Sequence, residues 1–268
     1  MAMELGNLRI DPIIDGAGSF KPTNVFRSTN TEAWDAHKDL LDANGRLPFV
    51  MGGFLVRGNG RTTLVDLGLG PTSMMGIEGG AFLKNLAALD VATDDITDVV
   101  FTHLHSDHIG WAIKGGEITF ANATYRASQA DIDHFVHGDG GDPSEAAILD
   151  IIGAHIVGWD AGSTTTIVAG IDQFAAPGHT PGSSVIVLSS GDQRAMLLGD
   201  VVHCPVQLID DEWAGMFDVD PEMARRTRTA LNRELEGDHT LVAAAHFPDL
   251  RFGRLLTGEG RRFWQLAN

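Results

Sequence analysis

Thr102-His103-Leu104-His105-Ser106-Asp107-His108 is the stretch whose reading decides the fold. Three histidines and an aspartate, all metal-ligand types, stand together at the exit of the apolar run Asp98-Val99-Val100-Phe101-Thr102. A strand end sends alternate residues to one face, so His103 and His105 point together. A tightening turn then swings Asp107 and His108 toward a second point close by. Neutral imidazoles and carboxylates are the donors that zinc and neighbouring divalent cations accept. The plainer reading is a polar turn after a strand. Ionisable groups gathered behind a buried strand need a charge-compensating partner, however, and a cation is the simplest one.

Three further donors lie far along the chain, each at the end of an apolar run. They are His179 in Pro177-Gly178-His179-Thr180-Pro181-Gly182, Asp200 after Leu197-Leu198-Gly199, and His246 after Ala243-Ala244-Ala245. Glycine beside the first two permits close backbone approach around a compact site. Loops at the ends of rigid strands are where sites are usually built.

In this order the residues resemble the metallo-β-lactamase superfamily, whose signature is H-x-H-x-D-H, then a distant histidine, an aspartate and a last histidine. The resemblance takes in the Asp66-x-Gly68 turn as well. It implies an α/β fold of the α+β kind, a four-layer αββα sandwich. It also implies that His103, His105 and His179 hold one cation, that Asp107, His108 and His246 hold a second, and that Asp200 bridges them. Zinc is the expected metal; manganese, iron or cobalt fit the same donors. The reaction implied is hydrolysis, with a hydroxide between the two cations attacking the substrate.

Asp200 narrows the choice, because the β-lactamases of this superfamily carry cysteine or serine there. Gly199-Asp200-Val201-Val202-His203, Val206-Gln207 and His246-Phe247-Pro248 resemble the methyl parathion hydrolase branch and its lactonase relatives. A small ester or lactone is therefore the expected substrate. A phosphotriester is the runner-up, followed by a β-lactam. An iron-dependent redox enzyme and a silent ligand-binding module are the rivals from other classes. The acyl-homoserine lactonases place a tyrosine three residues after the bridging aspartate, where this chain has His203. Asp107 and His203 are the candidates for proton transfer, with a packing role for His203 equally open.

Bulk composition agrees with a small-molecule enzyme. The chain has 268 residues, 43% of them hydrophobic, enough for a sizeable core. It reads as one domain over 1–268, with residues 1–48 as an N-terminal extension that could serve as a lid or dimer arm. A formal net charge of −17 opposes binding to nucleic acid or to anionic membranes. A homodimer stays open. No segment resembles a signal peptide or a membrane span, so a cytoplasmic location is expected. Cys204 is the lone cysteine, which rules out an intramolecular disulfide, and no motif around it suggests a nucleophile.

The coarse pattern predicts a hairpin over Phe49–Val56 and Thr62–Asp66, and helices over Thr31–Asn44, Gly80–Leu89 and Pro221–Leu235. Further strands are expected over Asp98–Thr102, Thr124–Ala127, Thr164–Phe174, Ser183–Leu188, Ala195–Leu198 and Thr240–Ala245. Ser128 could cap a helix carrying Ile132 and Phe135, and Asp139–Asp142 reads as a flexible acidic loop. Phe20, Phe26, Trp34, Trp111 and Trp213 could line a substrate pocket or belong to the core. His37, His134, His137, His155 and His239 read as surface or local structural residues.

Overall fold

A computed structural model describes residues 2–267 apart from 28, 161, 163 and 237–239, so His239 lies outside the described residues. Two seven-stranded sheets carry the chain, each laid down in sequence order. The first holds β1 (Met3–Leu5), β2 (Leu8–Phe20), β3 (Leu47–Gly58), β4 (Arg61–Val65), β5 (Asp98–Val100), β6 (Thr124–Ser128) and β7 (Ile156–Trp159). The second holds β8 (Thr165–Val168), β9 (Ile171–Ala175), β10 (Ser184–Ser190), β11 (Gln193–Leu197), β12 (Leu241–Ala243), β13 (Gly253–Gly258) and β14 (Arg261–Leu266). Neighbours are parallel across β4–β5–β6–β7 and β11–β12. Parallel neighbours need long crossovers, and these carry helices and site loops.

The two-residue alternation of the strands sorts side chains into layers. Leu64 and Val99 face outward, onto Phe82 and Leu86 of α1 (Phe82–Ala87) and onto Leu149 and Ile152 of α2 (Pro143–Ile152). Their neighbours Val65 and Val100 face the second sheet, against Ile186, Leu188 and Leu197. Beyond that sheet, Val185, Val187 and Met196 pack on Leu231 and Leu235 of α3 (Pro221–Leu235). The order helix, sheet, sheet, helix is the αββα sandwich the resemblance implied.

The N-terminal reading needs correction. Leu8–Phe20 is no arm: it pairs with β3 from Arg9↔Arg57 to Phe20↔Leu47. Pro12, Gly16 and Gly18 hide this strand from a pattern search. Pro12 is tolerated because β1 covers only Leu8–Ile10, leaving the rest of β2 at the sheet edge. Val25, Phe26 and Trp34 pack with Cys204 and Trp213, and Val25 lines the cavity over the site. The helix expected near Trp34 is a kinked run of 3-10 turns, Glu32–Leu40.

Three other regions differ from expectation. The terminal hairpin β13–β14 was not anticipated, and Thr164–Phe174 splits into β8 and β9 around Gly170. Asp142, expected in a loose loop, caps α2 by accepting from Ser144 N and Glu145 N.

Candidate metal centre

All seven ligand candidates meet at one end of the sandwich, from loops leaving β5, β9, β11 and β12. The loop after β5 carries four of them. His105 sits extended before a short helix, Ser106–Ile109, which carries Asp107 and brings the His108 ring back to 4.0 Å from that of His103. Gly199 has φ +52°, and a Cβ there would come within 2.7 Å of Thr102. Gly178 is equally pressed: its Cβ would lie 2.2 Å from Ala224 N of α3. These two glycines let the Asp200 and His179 loops close on the centre.

The donors form two triads. His105 Nδ1 lies 3.1 Å from His103 Nε2 and 2.9 Å from His179 Nε2. The far nitrogens settle which atoms carry protons. His179 Nδ1 faces Asp218 Oδ1 at 3.1 Å, and His103 Nδ1 faces Thr102 Oγ1, which itself donates to Asp66. Both Nε2 atoms therefore present lone pairs, and with His105 Nδ1 they bring three imidazole nitrogens to one point.

In the second triad His108 Nδ1 donates to Asp66 Oδ2 at 2.9 Å and His246 Nδ1 to the Val50 carbonyl at 2.8 Å. Their Nε2 atoms converge on Asp107, at 3.9 and 3.6 Å. Asp200 stands between the triads: Oδ1 is 3.3 Å from His108 Nε2, and Oδ2 is 3.0 Å from His246 Nε2 and 3.5 Å from His179 Nε2. His108 Nε2 and Asp200 Oδ1 are buried without a hydrogen-bond partner among the described residues. Such orphans are costly, and a divalent cation satisfies both.

Electrostatics match these roles. Burial, reinforced by neighbouring imidazoles, holds His103 and His105 well below the ordinary histidine pKa, so both are neutral and ready to ligate. Burial also works against protonation of His108 and His246, yet Asp200 and the other carboxylates outweigh it and raise both. Burial opposes the charge on Asp200, but His246, His108 and His203 keep its pKa well below the usual range. Protons and a cation thus compete for the second triad.

The chain matches the model of the metallo-β-lactamase superfamily over residues 53–246. It belongs to that superfamily. Three solved metallo-β-lactamase-fold structures illustrate the likeness. AidC, a dizinc quorum-quenching lactonase in complex with a product, is 22% identical with a TM-score of 0.89, covering 100% of this chain and 97% of its own. AbOPH, a hydrolase in the beta lactamase superfamily, is 23% identical with a TM-score of 0.83, covering 99% and 96%. A probable metal-dependent hydrolase from Staphylococcus aureus is 18% identical with a TM-score of 0.80, covering 99% of both chains. No curated protein matches the chain in sequence.

Several residues that shape this superfamily member's centre escaped the sequence reading. Asp15 sits at the bulge of β2 and accepts from Leu69 N, Gly70 N, Gly80 N, Phe82 N and Trp111 Nε1, all at 2.8–2.9 Å. A bulge re-aims a side chain in this way. Trp111 is thereby a structural residue and not a pocket wall. Asp131 accepts from Leu104 N, Gly182 N and Thr180 Oγ1, tying the His103–His108 loop to the His179 loop. Glu145 accepts from Ser106 N at 3.1 Å. A signal for Glu145 was present: Asp142-Pro-Ser-Glu145 is a capping box with proline at the first helical position, before an apolar run. Nothing local marks Asp15, Asp131 or Asp218.

His203 is buried with Nε2 3.3 Å from Asp200 Oδ2, and neither ring nitrogen has a hydrogen-bond partner among the described residues. Its ring lies parallel to His246 at 5.7 Å, and Phe49 stacks on His246 at 4.0 Å. Ser183 and Ser184 are spent on local bonds to Thr180 N and Gly182 O. Burial pushes the Cys204 thiol up to about 12, which keeps it inert.

Proposed function

We propose that the protein is a dinuclear metal-dependent hydrolase, loaded with zinc, that opens a small ester or lactone. The observation that carries this reading is Asp200, a carboxylate placed within 3.5 Å of donors from both triads. Three imidazoles with one carboxylate suit the first cation; two imidazoles with two carboxylates suit the second. Bound there, the pair would supply Lewis acidity and a nucleophile drawn from water at neutral pH. Asp107 and His203 line the cavity beside the donors and are the groups that can carry a proton to the leaving alkoxide.

The cavity over the centre, about 440 Å³, gives the substrate's character. Phe20, Phe49, Met51, Met74, Met75 and Phe217 give it apolar lining, and Asp142 and Glu145 line it as well. That apolar lining suits the acyl or aryl arm of an ester or lactone. Likeness to a dizinc lactonase supports the same choice.

The test is a matched panel of a γ-lactone, an aryl ester, an aryl phosphotriester and a cephalosporin, each with and without chelator. Chelator-sensitive turnover led by the lactone or the ester is expected. A lead by the phosphotriester would move the assignment to that class, and a lead by the cephalosporin would overturn the reading of Asp200. No turnover with two cations bound would end the hydrolase proposal.

A further inference from the structure

Arg228 heads the fully buried large side chains of the protein, on the inward face of α3. Its Nη1 lies 3.3 Å from Asp218 Oδ2, while Nε and Nη2 have no hydrogen-bond partner among the described residues. Asp218 is itself buried, and its other oxygen faces His179 Nδ1 at 3.1 Å. The chain of contacts therefore runs Arg228, Asp218, His179, first triad.

A buried ion pair with guanidinium nitrogens left over is a weak source of stability, because desolvation offsets most of the attraction. Packing alone would be served as well by a methionine or leucine. The second triad has a parallel and different arrangement: Asp66, which orients His108, is held by the neutral donors Thr102 N and Thr102 Oγ1. Among the described residues, a cationic side chain stands behind the orienting carboxylate on the His179 side alone.

We infer that Arg228 is a positioning residue for the first cation subsite, acting through Asp218 to hold His179 with Nε2 presented. The guanidinium holds Asp218 by Oδ2, which leaves Oδ1 turned to His179 Nδ1. Asp218 Oδ1 accepts from His179 Nδ1, and that tautomer leaves the Nε2 lone pair free for the metal. The inference rests on the dinuclear reading above, and concerns binding rather than turnover.

The experiment measures zinc affinity by chelator competition in two single-subsite backgrounds. His246→Ala leaves the first triad whole, and His103→Ala leaves the second. Arg228→Met is expected to weaken binding roughly 10–100-fold in the first background and to leave the second unchanged. Arg228→Lys, which keeps the charge, is expected to recover most of the loss. Equal weakening of both subsites, or of neither, overturns the proposal. Should Arg228→Met fail to fold, the isosteric Asp218→Asn decides by the same readout: first-subsite affinity must fall, and an unchanged value overturns the inference. Zinc stoichiometry of the unmutated chain reports separately on the dinuclear reading, so the two failures are distinguishable.

Discussion

The first sheet delivers four donors in one loop, His103 to His108, whereas the second delivers three from three separate loops, at His179, Asp200 and His246. The single loop is stiffened from outside: Asp66 takes Thr102 N, Asp131 takes Leu104 N and Glu145 takes Ser106 N. The scattered donors rely on close backbone contact at Gly178 and Gly199, and on Asp218 with Arg228 behind it. One half buys precision by bracing a short segment, the other by packing distant ones. Asp200 and Asp131 are where the two halves meet.

The sharpest way to break the comparison is at Asp200. Asp200→Asn removes the one donor shared by both triads while keeping its shape. Turnover should fall by far more than the roughly 10–100-fold of a lost outer partner, with the circular dichroism spectrum unchanged. Near-normal rates in the zinc-loaded variant would sink the bridging role.

Asp131 joins the halves by hydrogen bonds, and burial pushes its pKa to about 6 in spite of them. For a carboxyl raised above its unfolded value, the folded state binds the extra proton. The cost of its charge is therefore present above about pH 6 and is relieved as pH falls toward 3.8. The size is on the order of 3 kcal/mol. Denaturant melts of metal-free protein, taken as the difference from Asp131→Asn, should show stability rising through that window as pH falls. A flat difference would count against a raised Asp131.

Asp66→Asn sharpens the contrast within the first half. It should weaken zinc at the second subsite, where Asp66 touches His108 directly, by roughly 10–100-fold, and at the first, which it reaches only through Thr102 and His103, by less. An equal loss at both would show that Asp66 acts on the whole loop and not chiefly on His108.

The smallest effect is expected at the cavity rim, where Met75 and Phe217 are half exposed at 51% and 45%. Met75→Ser with Phe217→Ser should raise KM for long-armed esters by about 10-fold, leaving short-armed ones and kcat little changed. A uniform change across arm lengths would move the substrate arm elsewhere.

Legibility followed the same division. The His103–His108 loop could be read because its donors are contiguous and lie after an apolar run. His179, Asp200 and His246 needed the family's order to be recognised, since each alone is an ordinary polar residue. Leu8–Phe20 was missed because Pro12 and the glycines break the alternation that marks a strand. Arg228 looked like any helix surface arginine, because α3 carries Arg225 and Arg226 beside it at exposed positions.

From the sequence alone came the class of fold and the set of candidate donors, because the family resemblance that carries them depends on residue type, order and spacing. The tertiary structure decided which nitrogen of each histidine is free and which carboxylate orients it. It also decided which side chains line the cavity. Those depend on groups brought together from residues such as Val50, Asp66 and Asp218, whose distances along the chain bear no relation to their distances in space.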